Sequence, residues 1–275
     1  MSPEAPASAG VRPPPRILSI AGSDSSGGAG IQADIKTIAM LGGYAMTAVT
    51  AVTAQNTLGV QAIAPLSADV VREQIASCFV DIGVDAVKIG MLHDAEIIAA
   101  VAGALAEVDR PIVLDPVMVA TSGATLIAED AIAAMKARLF PLAAIITPNL
   151  PELEHLARRT LRDTDEVTTA ALALAEEYGC HVLAKGGHTE DARVIDLLVG
   201  PGETRAVSFT DPKIDTRHTH GTGCTLSAAI ATLVGHGQPI EHAVRIARQF
   251  VRRAILAAPG FGAGHGPLGH QAVRR

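Results

Sequence analysis

Short β-rich runs recur along the 275-residue chain, and the intervals between them are long enough to cross back over a sheet. The runs are RILSIAG (16–22), AMTAVTAV (45–52), AVKIG (86–90), PIVLD (111–115), AAIITP (143–148) and HVLAKGG (181–187). Amphipathic stretches at 67–81, 94–107 and 165–178 lie between them. This is the strand–helix–strand alternation, and the right-handed crossover rule turns it into a parallel, doubly wound α/β sheet with helices on both faces. VIDLLVG (194–200) and TRAVSF (204–209), separated by PGE, read as a hairpin on the far edge. Two helices follow, at about 223–235 and 239–256, and then the Gly-rich loop PGFGAGHGPLGH. No internal repeat or linker-like break interrupts 16–270, so 16–275 reads as one domain. Residues 1–15 lack both a basic start and an apolar stretch, and read as a flexible tail and not as a signal peptide.

Composition fits this layout. Apolar residues make up 48% of the chain, with no Trp, two Tyr and five Phe. That mix suits buried parallel strands and offers little aromatic surface for stacking on bases. Lys and Arg number 22 against 28 Asp and Glu, a net charge of −6 with no basic cluster. A nucleic-acid or anionic-membrane partner is not expected, and no run is long and apolar enough for a membrane span. The three cysteines, Cys78, Cys180 and Cys224, are odd in number, far apart and without a C-x-x-C. They point to a reducing, cytoplasmic setting and away from a zinc site or a disulfide framework.

Several strand ends carry polar or glycine-rich sequence, among them AGSDSSGGAG, TAQNT, KIGM, LDPVM, TPNLPE and KGGH. Ligands of open α/β sheets bind outside the carboxyl ends of the strands, so these stretches predict one composite site. GSDSSGGAGIQAD (22–34) is neither a P-loop nor a clean dinucleotide fingerprint. It is either a plain strand-to-helix turn or a close backbone approach to a small ligand, with Asp24 and Asp34 supplying carboxylates. In TPNLPELEHLA, Asn149 and Glu152 are either a helix cap and a dipole partner or two hard oxygen ligands for hydrated Mg²⁺. Lys185 either snorkels to the surface or holds a phosphate. Asp115 either caps a loop or faces a nucleotide and its metal.

HTHGTGCTLSAA (218–229) is the strongest local signal. Gly221 and Gly223 let consecutive N–H groups point one way, and the helix that follows adds its positive end, which suits an anion. A thiol there is expected to have a lowered pKa. Cys224 could be a nucleophile, a metal ligand, a base or an inert packing residue.

In order and spacing, AGSDSSGGAGIQADIKT, TAVTAQNTLGVQ, VKIGML, VLDPVM, ITPNLPE, KGGH, THGTGCTLSAA and GAGHGPLGH resemble the ribokinase-like superfamily. Within it the chain is similar to the bacterial hydroxymethylpyrimidine and phosphomethylpyrimidine kinases of thiamine biosynthesis, from about residue 16 to 270. The resemblance implies ATP- and Mg²⁺-dependent phosphorylation of 4-amino-5-hydroxymethyl-2-methylpyrimidine, first to the monophosphate and then to the diphosphate. It implies that the pyrimidine lies against Gln55, near Asp34, Gly22 and Met91. Asn149, Glu152 and Asp115 then become the metal station, and Lys185, Asp115 and Asn149 lie along the phosphate path. Gly221, Thr222, Gly223 and Cys224 form the anion hole, with Cys224 as the base where many superfamily members have aspartate. A homodimer is also implied. His218 and Ser25–Ser26 depart slightly from the family wording. The rival on the same scaffold is a pyridoxal or pyridoxine kinase, against which Gln55 and Met91 speak. A thiolate-nucleophile enzyme using His218 or His220, and a non-catalytic ligand sensor, are the readings from other classes.

Overall fold

Nine strands form one sheet in the order β3-β2-β1-β4-β5-β6-β7-β8-β9. The computed structural model of the chain describes residues 13–118, 127–187 and 192–273. Residues 1–12 of the expected tail and His188 of KGGH lie outside the described residues. The strands are β1 (Arg16–Asp24), β2 (Tyr44–Asn56), β3 (Gly59–Pro65), β4 (Ala86–Ile89), β5 (Ile112–Leu114), β6 (Ile145–Ile146), β7 (His181–Ala184), β8 (Arg193–Val199) and β9 (Val207–Pro212). From β2 to β7 every pairing is parallel. The β8–β9 hairpin closes one edge antiparallel, as its sequence predicts.

The other edge differs from expectation. β2 runs past Val52 to Asn56 and turns back into an antiparallel β3. β3 is half exposed and has no apolar alternation, so the signal that marks the buried strands is missing from it.

The strands alternate their side chains between two cores. Leu18, Ile20, Val87, Ile89, Ile112, Leu114 and Val182 face α2 (Ala68–Ser77), α3 (Ala95–Leu105), α4 (Glu129–Arg138), α5 (Leu150–Ala157) and α6 (Thr164–Tyr178). Ile17, Ala86, Val113, Ile145 and Leu183 face α1 (Gly30–Met40), α7 (Thr222–Gly235) and α8 (Ile240–Leu256). Helices on both faces make the sheet doubly wound. The amphipathic run at 67–81 is broken near its end, where α2 passes into a π-helical turn, Cys78–Ile82. α4 was not among the expected helices.

This layout brings the carboxyl ends of β1, β4, β5, β6 and β7 to one rim and points the first turn of α7 at it. Small residues let α7 lie close against the sheet: Ala228, Ala229 and Ala231 are fully buried.

Candidate active site

A cavity of about 890 Å³ runs along that rim. Gly22, Gln55, Met91, Asp115, Asn149, Glu152, Lys185 and the turn Gly221–Cys224 all line it. Eleven of the twelve residues that the family resemblance assigns to the site therefore share one space.

The turn is built by a close backbone approach. Gly221 has φ of +88°, and a Cβ there would stand 1.9 Å from the Gly28 carbonyl oxygen. Only glycine fits that position, and the docking ties the β1–α1 loop to the start of α7. Gly223 is different: a Cβ would meet Asp115 Oδ2 at 3.3 Å and Lys185 Nζ at 3.5 Å, so these two groups overhang the first turn of α7. Lys185 Nζ donates to Asp115 Oδ1 at 2.6 Å, and Thr147 Oγ1 donates to the same oxygen at 2.9 Å. A cation, a carboxylate and the positive end of a helix thus converge where an anion would sit.

Asn149 and Glu152 form a complete capping box. Asn149 Oδ1 accepts from the Glu152 N–H at 2.9 Å, and Glu152 Oε2 accepts from the Asn149 N–H at 2.8 Å. Glu152 is nonetheless buried against the cavity, facing Asp115 and Lys185.

At the other end, Asp24 gathers the β1–α1 loop. It accepts from Ser26, Gly28 and Ala29 N–H groups and pairs with His220 Nε2 at 2.8 Å. Gln55 lies 3.4 Å from the same ring nitrogen. A Cβ on Gly22 would stand 2.5 Å from Met91 Cε, so the methionine packs directly on the turn.

The profile of the family described as phosphomethylpyrimidine kinase matches residues 24–269. A hydroxymethylpyrimidine/phosphomethylpyrimidine kinase of Bacillus subtilis is 45% identical over 262 residues, covering 94% of this chain and 96% of that relative. The chain belongs to the phosphomethylpyrimidine kinase family. Among solved structures, a phosphomethylpyrimidine kinase from Clostridium difficile superposes with a TM-score of 0.77 at 38% identity, over 88% of this chain and 99% of that one. An ADP complex of a Bacillus subtilis pyridoxal kinase superposes with a TM-score of 0.85 at 36% identity, over 94% and 98%. The fold is ribokinase-like, and the chain is a small-molecule kinase that uses ATP.

Two expectations are corrected by the geometry. Asp34 does not reach the cavity. It is fully buried beneath it, where Oδ2 accepts from Lys88 Nζ at 2.8 Å and from Ser19 Oγ at 2.6 Å. The Cys224 thiol is not acidified either. Burial pushes it up to about 11; the Lys88 ammonium and the Gly30 N–H oppose that rise, while Asp34 and Asp115 add to it. Loss of water and two carboxylates outweigh the helix terminus.

The remaining electrostatics follow the same balance. Burial pushes the Glu152 carboxyl up to about 7, with Lys185 working against the rise and Asp115 adding to it. Burial alone would raise Asp24, but hydrogen bonds from His220, Ser26 and Ala29 hold it down at about 2. Among the described residues no group of three or more His, Cys, Asp or Glu could hold a metal by itself. That fits Mg²⁺, which is commonly bound by one or two carboxylates together with substrate phosphates and waters. Asp115 and Glu152 are the pair that would hold it. Asn149 Oδ1 is engaged by its own helix, so its part is to fix Glu152.

The sequence reading passed over Lys88 and the Asp24–His220 pair. A lysine inside the strand run AVKIG was a visible anomaly. The pairing of residues 24 and 220, 196 positions apart, had no local signal.

Proposed function

We propose that the chain transfers the γ-phosphoryl group of ATP to 4-amino-5-hydroxymethyl-2-methylpyrimidine, and then to the resulting monophosphate, in thiamine biosynthesis. The observation that carries this reading is the placement of Gln55 and Cys224 in one cavity with the Lys185–Asp115 pair over the first turn of α7. An amide side chain offers both a donor and an acceptor to an aminopyrimidine edge. Met91 packs on the Gly22 turn and walls the ring. The nucleotide base fits the far end of the cavity, where Val194, Ile214, Val251 and Ile255 supply apolar walls.

In this reading Cys224 takes the proton of the hydroxymethyl oxygen as that oxygen bonds to the γ-phosphorus and the bond to the β-phosphate oxygen breaks. The thiolate fraction is small at neutral pH, so positioning and charge stabilisation carry most of the acceleration. The N–H groups of Gly221–Cys224 and the Lys185 ammonium receive the charge that develops on the phosphoryl oxygens. Asp115 and Glu152 would hold Mg²⁺, which would supply further charge neutralisation on the phosphates. In the second step the acceptor is already an ionised phosphate and needs no base.

A coupled ADP-release assay with the pyrimidine alcohol, followed by mass identification of products, tests the proposal. Mono- and diphosphate in sequence support it; no ADP release overturns it. The second reading, a pyridoxal kinase, is favoured by the solved pyridoxal kinase that superposes on this chain. A higher kcat/KM for pyridoxal than for the pyrimidine, with no diphosphate formed, would establish that reading instead. A cytoplasmic location accords with three free cysteines, and no helix of the described residues is long and apolar enough to cross a membrane. A homodimer accords with apolar Val52 and Leu58 left exposed on the β2–β3 edge.

A further inference from the structure

The amide of Gln55 has two ends of nearly one shape and opposite hydrogen bonding: Nε2 donates and Oε1 accepts. Its surroundings therefore decide which way round it sits. The backbone is fixed first. Ser25 Oγ accepts the Gln55 N–H at 2.8 Å and donates to the Gln55 carbonyl at 2.9 Å. The amide then lies between two buried side chains that also line the cavity, with Nε2 3.4 Å from His220 Nε2 and Oε1 3.1 Å from Thr53 Oγ1.

Both neighbours have their protons committed. Asp24 Oδ2 takes the Gly28 N–H at 3.1 Å and the Ala29 N–H at 2.8 Å, and lies 2.8 Å from His220 Nε2. Backbone N–H groups only donate, so this oxygen is an acceptor and the ring nitrogen beside it carries the proton. The ring is packed against Gly28, where a Cβ would stand 2.3 Å from His220 Cδ2. On the other side, Thr53 Oγ1 donates to the Ser23 carbonyl at 3.0 Å. With Nε2 at the His220 end, two donors face each other and the single Thr53 proton is divided between two acceptors. With the amide turned over, Oε1 meets the His220 N–H and Nε2 donates to the Thr53 oxygen. Each group then has a partner of the opposite kind, and one N–H and one lone pair of the amide remain for the substrate.

We propose that His220, held by Asp24, and Thr53 are positioning residues that set specificity. They lock the Gln55 amide with its oxygen toward His220 and its nitrogen toward Thr53, so that it accepts an aminopyrimidine edge and rejects the oxo counterpart. A 4-aminopyrimidine edge offers a donor, the amino group, beside an acceptor, the ring nitrogen. The 4-oxo counterpart offers an acceptor beside a ring N–H, the same pair in reverse. An amide free to turn over fits both; a locked amide fits one. The inference rests on the reading of the substrate as the aminopyrimidine alcohol.

Calorimetric Kd values for the hydroxymethyl aminopyrimidine and its 4-oxo counterpart, measured on the full chain with ADP release followed alongside, test the proposal. The wild type should bind the amino form about tenfold more tightly, the worth of one hydrogen bond made or lost. His220→Leu and Thr53→Val each remove one side of the lock, and in both the preference should largely disappear. His220→Gln keeps an N–H donor for Asp24 and should retain the wild-type preference. A purely structural role would weaken both pyrimidines alike. An unchanged ratio of the two Kd values in the folded variants therefore overturns the proposal, and so does equal binding of the two pyrimidines by the wild type. Should His220→Leu not fold, Thr53→Val supplies the measurement, since it leaves the Asp24–His220 pair intact. If the ratios move as expected but the amino alcohol releases no ADP, the lock stands and the phosphoryl-transfer reading is what fails.

Discussion

Cys224 stands where opposing influences meet. The first turn of α7, the Gly30 N–H and the Lys88 ammonium favour thiolate; burial, Asp34 and Asp115 favour thiol, and the latter win. A thiol this basic is a poor standing nucleophile and, once ionised, an effective acceptor of a proton. Cys224→Ser should therefore slow phosphorylation of the alcohol by roughly 10²-fold or more, the range of general-base contributions. Phosphorylation of the monophosphate should change little, and separate single-turnover rates would show the split. Equal losses would assign Cys224 to packing. The two glycines beside it make a second contrast. Gly223→Ala places a methyl 3.3 Å from Asp115 Oδ2 in a helical turn that tolerates alanine. Both steps should lose activity with the melting temperature unchanged. Gly221→Ala meets the Gly28 carbonyl and a left-handed φ together, so it should also destabilise the fold, by about 1–3 kcal/mol for the backbone strain alone. A calorimetric comparison of the two variants separates anion-hole blockage from fold damage.

At the scale of elements, the C-terminal end of the chain fastens α7. His270, in the short helical turn His270–Ala272, is fully buried with Nε2 2.8 Å from Thr225 Oγ1, one residue beyond Cys224. Burial lowers the imidazole to about 4, and Lys36 adds to the effect. The folded value lies below the ordinary histidine value of 6.5. Between the two, the unfolded chain holds a proton that the folded chain does not. Stability is then complete above pH 6.5 and falls as pH drops toward 4, by on the order of 2–3 kcal/mol. Urea unfolding of the wild type and of His270→Gln across pH 4–7 should give a shallower pH dependence in the variant; parallel curves would remove His270 as the cause. Elements such as this turn also mark the limit of what the sequence discloses. β1, β4, β5 and β7 announce themselves by buried apolar runs ending in polar chemistry, so the rim of the site is legible before any coordinates. β6 is read from AAIITP, although only Ile145 and Ile146 enter the ladder, whereas β3 is half exposed with no apolar alternation. The place of β3 follows from pairing and not from its own residues. Asp34 looked like a ligand because it lies in a glycine-rich motif. Helical phase turns it instead toward Ser19 and Lys88, contacts that come from two other strands.

Across the whole molecule, the site has two halves that the backbone couples from opposite ends of the chain. The β2–β3 turn carries Gln55 into the cavity, and the Gly-rich segment after α8 grips that turn. The His265 N–H donates to the Thr57 carbonyl at 2.9 Å, and the Gly264 N–H reaches Thr57 Oγ1 at 3.3 Å. The same segment accepts the His220 N–H on the Gly266 carbonyl, so Gln55, His220 and Asp24 share one support. The far half, between β8–β9 and α8, has its own fastening. Arg248 bonds Asp196 at 2.6 Å and Asp211 at 3.0 Å. A change in the grip should therefore be felt by the pyrimidine and not by the nucleotide. Gly264→Ala would set a methyl 2.0 Å from the Thr57 carbonyl oxygen, and backbone on both sides leaves nothing flexible to yield. The turn must move, and Gln55, two residues before Thr57, must move with it. One misplaced hydrogen-bonded pair is worth roughly 1–1.5 kcal/mol, about a tenfold rise in KM for the pyrimidine. KM for ATP should stay within twofold, since the Arg248 fastening is untouched. Steady-state kinetics with each substrate varied in turn make the comparison. A parallel rise in both constants would mean that the segment supports the sheet rim as a unit and not the pyrimidine half.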